Sequence, residues 1–184
     1  MKQAAIHVRC NAAGKVRYER RNGRETMIVP SFTLKSDIIM NRIKYPHDEI
    51  EKSYKGLERT PAPLGHPQNA DGSFLSAFDP EAFVRNGIFA WNENVRRDGD
   101  RIALDKVIDV ARANECEGGK RVLAAIEANK PIHTSTGLMC MLEEAEADDH
   151  DFIARDIVWN HDAILLDEPG AATPEQGVGM LVNG

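Results

Sequence analysis

Val16-Arg17-Tyr18-Glu19-Arg20-Arg21-Asn22-Gly23-Arg24-Glu25-Thr26-Met27-Ile28-Val29 sets the fold class: two extended segments, 16–21 and 25–34, meet at Asn22-Gly23. Asn and Gly both tolerate positive φ, as a two-residue hairpin turn that follows the strands' twist requires. The signature recurs at Arg97-Asp98-Gly99-Asp100, between 88–96 and 101–108. Working outward, Pro46-His47-Asp48-Glu49 and Gly56 bracket a short helix over 48–57. Thr60-Pro61-Ala62-Pro63 cannot continue it and runs extended toward His66, and the polar 68–72 with Asp71-Gly72 reads as an exposed loop. Val122, Leu123 and Ile126 recur at helical spacing, and Gly118-Gly119 places the helix start near Lys120. Extended segments follow at 132–142, 152–159 and 163–166, with an acidic patch at 143–151 and a loose tail at 167–184. The pattern is a β-rich α+β domain.

Composition narrows the function. The 184 residues suffice for one domain, with 42% apolar and 28% charged side chains. Twenty-nine acidic against 23 basic residues give a net charge of −6, which argues against a surface built for phosphates and direct nucleic-acid binding. No segment approaches the roughly 20 apolar residues of a membrane span, and 1–16 carries no export signal pattern. Cys10, Cys116 and Cys140 form no Cys-x-x-Cys pair and fit a reducing compartment, with Cys140 read as a small core residue rather than a nucleophile.

Three short motifs carry chemistry: Gly65-His66-Pro67, His133-Thr134-Ser135-Thr136-Gly137 and Asn160-His161-Asp162-Ala163. A serine hydroxyl is a poor nucleophile at neutral pH; it needs an imidazole to take its proton and a third group to fix that imidazole. Strand alternation sends Ser135 to one face and Thr134 and Thr136 to the other. His133 shares the face of Ser135 but points parallel to it, which suits a supporting or substrate-pocket residue rather than the base. Alternation also separates His161 from Asp162, so only one of them can reach His66. A metal hydrolase using His66, His133 and His161 is the alternative enzyme, though no tight His-x-x-x-His pair is present.

From about Gly14 to Leu166 the motifs, taken in order, resemble the phage prohead (capsid maturation) serine proteases, relatives of the herpesvirus assembly proteases. The resemblance implies a closed or nearly closed β-barrel flanked by helices over residues 1–166, with 167–184 as loop and tail. It also implies Ser135 as nucleophile, two residues before Gly137, His66 as base and His161 as the orienting third member. Replacing Asp162 is then expected to cost little turnover. Gly137 would let a substrate backbone approach closely. Related enzymes hold the oxyanion with a Gly-Arg loop; here Asp167-Glu168-Pro169-Gly170-Ala171-Ala172 has no arginine, leaving the backbone of Gly170 and Ala171 as candidates. The implied role is cleavage of scaffold and major capsid protein segments, and of the chain itself, inside an assembling prohead in the bacterial cytoplasm. Self-association is compatible with it, and no cofactor, metal or membrane is called for. A capsid-assembly protein that keeps the fold with weak or no activity is the non-enzymatic alternative.

Overall fold

The structure, a computed structural model, describes residues 15–172 and 178–181. The elements in chain order are β1 (Arg17–Arg21), β2 (Arg24–Lys35), β3 (Ile38–Met40), β4 (Ile43–Tyr45) and α1 (His47–Ser53), which runs on as a 3₁₀ turn (Tyr54–Leu57). Then come α2 (Pro80–Asn86), β5 (Ala90–Asp98), β6 (Arg101–Asp109), α3 (Val110–Ala113), α4 (Glu117–Glu127), β7 (His133–Glu144), β8 (Phe152–Leu165) and β9 (Gly179–Met180).

Both expected hairpins form. Asn22 and Gly23 take φ of 50° and 79° at the β1–β2 turn, with Arg21 opposite Arg24, and Gly99 takes 63° between β5 and β6. The short α2 was not legible as a helix, although Asp79-Pro80 marks its start: the Asp79 carboxylate accepts the Glu81 N–H, and Pro80 needs no partner at that position. Helix α4 begins at Glu117 rather than near Lys120. A Cβ on Gly119 would lie 2.2 Å from the Ala113 carbonyl, so this glycine permits close packing of α4 on α3 instead of interrupting a helix.

One sheet has the order β1-β2-β6-β5, with β9 also on β2; the other has the order β3-β4-β8-β7, with β4 and β8 parallel. Neither closes on itself among the described residues, so the expected closed or nearly closed barrel gives way to two sheets. The two sheets are joined by isolated bridges instead: Pro61 to Trp91 and Leu64 to Ile164 on one side, Ile132 to Met180 on the other. Proline explains the first seam. Residues 61, 63 and 65 face β8, and only Gly65 has an N–H to give it, received by the Ile164 carbonyl at 2.9 Å. Pro61 and Pro63 serve as acceptors alone, for the N–H groups of Asp162 and Ile164.

Nor is the described part of 167–184 a loose tail. Val178 and Met180 are buried, β9 pairs with Ser31 and Phe32 of β2, and the Leu181 N–H donates to the Pro30 carbonyl. One apolar cluster includes Met27, Val29, Ile108, Ile126, Ile132 and Ile164; a second includes Leu34, Ile50, Leu57, Leu104, Ile157 and Trp159. Among the described residues no helix is long and apolar enough to cross a membrane. Cys116 and Cys140 are free thiols, Cys140 packed against the second cluster, while Cys10 and the expectation for residues 1–16 lie, but for 15 and 16, outside the described residues.

Candidate active site

Strand β8 is one run of 14 residues, not the two segments expected, and a bulge inside it shapes the site. Gly137 pairs with His161 but Leu138 with Trp159, so Asn160 is the extra residue. A bulge re-aims side chains. The neighbouring Asn160 and His161, which regular pleating would send to opposite faces, touch: Asn160 Oδ1 lies 2.9 Å from His161 Nδ1.

The direction of that contact follows from its surroundings. The backbone N–H of Ala77 donates to the same Asn160 oxygen at 2.8 Å, and Asn160 Nδ2 donates to Ser76 Oγ at 2.8 Å, which fixes the amide. His161 Nδ1 is therefore the protonated nitrogen, donating to Asn160. Its Nε2 is an acceptor, and His66 Nδ1 stands 2.8 Å away to donate to it. His66 then carries its free lone pair on Nε2. The relay Ser76, Asn160, His161, His66 ends in a neutral imidazole presenting a base.

His66 is aimed by its neighbours. Gly65 takes φ of 72°, a left-handed turn that Gly adopts without cost, and Pro67 starts the loop that folds back over the relay. From that loop Phe74 stacks on His161 at 6.1 Å between ring centres. His161 is fully buried. Burial, then the nearby charges of His66 and Lys106, push its imidazole down to about 3, so it stays neutral under working conditions. Burial also lowers His66, partly opposed by Asp162 and Glu168.

Ser135 stands opposite Ala163 in the β7–β8 ladder, and Gly137 opposite His161. Ser135 and His161 are thus diagonal neighbours on one sheet face. Ser135 lines a cavity of about 70 Å³ with Thr136, Ala171 and Ala172; His66 lines the adjoining cleft of about 580 Å³ with Thr136, Gly137 and Phe74. No hydrogen bond joins Ser135 Oγ to His66 among the described residues. Gly137 has a reason beyond the one expected: a Cβ there would lie 2.1 Å from the His161 ring, so the missing side chain makes room for the relay, and the same residue lines the cleft. Gly137→Ala should accordingly displace His161 and break its contact with His66, seen as a shift of the imidazole nitrogen NMR signals, while leaving the fold, as judged by circular dichroism, in place.

Gly170 meets the Thr134 carbonyl beside Ser135, where a Cβ would sit 2.5 Å from that oxygen, and Ala171 reaches the Ser135 cavity. Residues 170 and 171 thus lie beside Ser135. His133, opposite Leu165, has a buried Nδ1 without a partner among the described residues and does not join His66 and His161. No group of three His, Cys, Asp or Glu side chains converges as a ligand set among the described residues.

Asp162 points away from the relay, as alternation required, but it is not an idle residue. It is wholly buried and paired with the wholly buried Lys106, whose Nζ also donates to Asn92 Oδ1 at 2.9 Å. Asn92 continues to Thr60 Oγ1 and the Pro61 carbonyl, tying β5, β6, β8 and the segment that leads to His66. Sequence reasoning missed Asn160 and Lys106. The one stood beside a chosen histidine; the other interrupts the apolar run Ile102-Ala103-Leu104-Asp105-Lys106-Val107-Ile108.

The depressed His161 has a consequence for stability. Its folded pKa of about 3 lies below the ordinary 6.5, so the unfolded chain takes up a proton that the folded one refuses. Its contribution is complete above pH 6.5 and is lost as pH falls from there toward 3, on the order of 5 kcal/mol over the whole window. Urea midpoints should fall between pH 7.5 and pH 5, less steeply for His161→Gln than for the wild type.

Comparison with solved structures shows a likeness of fold. The bacteriophage T4 capsid assembly protease superposes with a TM-score of 0.61 over 84% of this chain and 92% of its own, at 13% sequence identity. At that identity the likeness is one of fold. No protein-family model matches the sequence, and no curated protein matches it.

Proposed function

We propose that this chain is a serine endopeptidase of phage prohead maturation, with Ser135 as nucleophile, His66 as general base and then acid, and His161 as the group that orients His66. The observation that carries the reading is the directed relay: His161 accepts from His66 Nδ1 and so leaves His66 Nε2 free for a hydroxyl. Burial keeps that imidazole neutral at pH 7, as a base must be. The fold shared with a capsid assembly protease supports the setting.

In this reading the cycle is that of a serine and a histidine base. Ser135 Oγ attacks the scissile carbonyl as His66 Nε2 takes its proton; the imidazolium is held by His161 Nε2, and its proton passes to the leaving amine. Water, activated by the same nitrogen, then releases the acyl group. His161 is neutral and stabilises the imidazolium through its lone pair alone, so turnover is modest. The backbone of Gly170 and Ala171 is the candidate oxyanion hole, with His133 supporting the Ser135 strand. The substrate is an extended segment of scaffold or major capsid protein lying in the cleft along β7, where Leu138, Met139 and Leu142 offer apolar contact. Cleavage takes place inside the prohead in the host cytoplasm, with the chain itself as a further substrate.

The silent capsid-assembly protein is the second reading, favoured by the absence of a Ser135–His66 hydrogen bond among the described residues. Active-site hydrogen bonds are often long without substrate. A fluorophosphonate probe separates the two. It should label Ser135 covalently, located by peptide mass spectrometry, and labelling should disappear in His66→Ala; a folded protein that takes no label would sink the peptidase reading.

A further inference from the structure

On the far side of the segment that delivers His66 lies a cavity of about 280 Å³, walled by residues 61–63, α2 and the start of β5. Its lining is apolar, with Pro61, Pro63, Phe83, Phe89 and Trp91, and its rim carries Arg24, Arg59 and Arg112. Arg24 is committed to Asp109. Arg59 and Arg112 have no carboxylate within ion-pairing distance among the described residues, and Arg112 lies over the Phe89 ring at 5.6 Å. In a chain of net charge −6, three arginines stand at this hollow against one lining carboxylate, Asp109, and Glu93, the acid that feels Arg59, is itself paired with Arg21, so the hollow carries an excess of positive charge.

The backbone points to the same place. Arg59 and Phe89, both bulky and both at this cavity, take φ of 61° and 55°. Left-handed φ costs such residues roughly 1–2 kcal/mol each, and strain of this kind gathers where side chains are held for a ligand. The apolar surface also continues outward: Phe78, Phe83 and Val84 are 61%, 51% and 82% exposed.

We propose that this cavity is a docking site for a partner's peptide segment in which an aromatic or branched aliphatic side chain is flanked by carboxylates. The apolar side chain fills the hollow between Pro61 and Trp91, and the carboxylates reach Arg59 and Arg112 with charge-assisted hydrogen bonds. The same Pro61 and Pro63 whose carbonyls accept from β8 form the wall, so a docked segment is held one strand away from His66. This goes beyond the peptidase reading and does not depend on it.

The test uses the folded Ser135→Ala protein, so that no cleavage interferes, and fluorescence anisotropy with a labelled acetyl-Glu-Asp-Phe-Leu-Asp-Glu amide. Saturable binding is expected, weakened about tenfold or more by Arg59→Gln/Arg112→Gln, by Trp91→Ser, by replacing the probe's acids with amides, and by replacing its Phe-Leu with Ser-Ser. The arginines are exposed, so their replacement leaves the fold intact, checked by circular dichroism. Absence of saturable binding, or binding indifferent to the arginine pair, overturns the proposal. So does a dimer in sedimentation that Arg59→Gln/Arg112→Gln dissociates, which would assign the cavity to a second copy of the chain.

Discussion

Ser135→Ala is expected to lower cleavage of a co-expressed capsid or scaffold precursor by a thousandfold or more, roughly the scale on which a catalytic unit fails when its nucleophile is removed. His66→Ala should fall as far, and the double variant no further, because the two groups act in one step: without the base the hydroxyl is not activated, and without the hydroxyl the base has nothing to deprotonate. Additive losses would mean that they serve separate functions. His161→Ala should lie between, at roughly 10- to 1,000-fold, since His66 would keep its lone pair but lose its orientation. The pH profile adds a sign. Burial lowers the His66 pKa, so the acid limb of activity should fall below the ordinary imidazole value of 6.5. A limb above 6.5 would place the base in a different, carboxylate-dominated setting.

Features written in local chemistry were legible in the sequence. Asn22-Gly23 and Asp98-Gly99 marked their hairpins because Asn and Gly reach positive φ at low cost, as Asn22, Gly23 and Gly99 do, and Gly65 takes it before His66. Features that depend on what packs opposite were not. The Asn160 bulge arises only when β8 is laid against β7, and nothing in Trp159-Asn160-His161 announces it. Gly137 could be assigned to a substrate as easily as to His161, since only the ladder register says which ring stands across from it. Closure into a barrel came with the family resemblance; the structure has two sheets, whose seam at residues 61–65 is set by prolines that cannot extend a ladder. The final residues read as a tail because β9 is two residues long, below the length at which any periodicity shows.

Asp162, whose loss is expected to cost little turnover, should matter to the stability of the fold. Its carboxylate and the Lys106 ammonium are both wholly buried, and Lys106 has been pushed toward its neutral form by burial, with Asp162 as the charge opposing that shift. Deleting one member leaves the other as an uncompensated buried charge. Asp162→Ala or Lys106→Met should each destabilise the protein by roughly 3–5 kcal/mol, a large share of the 5–15 kcal/mol that holds a typical domain together. Lys106→Met/Asp162→Asn together should recover much of the loss, because a neutral pair avoids the desolvation penalty. Urea titration followed by circular dichroism checks both arms, and an Asp162→Ala midpoint equal to the wild type would show that the pair holds nothing. Activity separates this role from catalysis. Asp162→Asn keeps an acceptor for Lys106, and where it folds it should cleave at close to the wild-type rate, since Asp162 faces away from His66. A folded Asp162→Asn that is inactive, beside a His161→Ala that is not, would make the triad Ser135, His66 and Asp162 and would leave the 2.8 Å contact between the two histidines without a catalytic purpose.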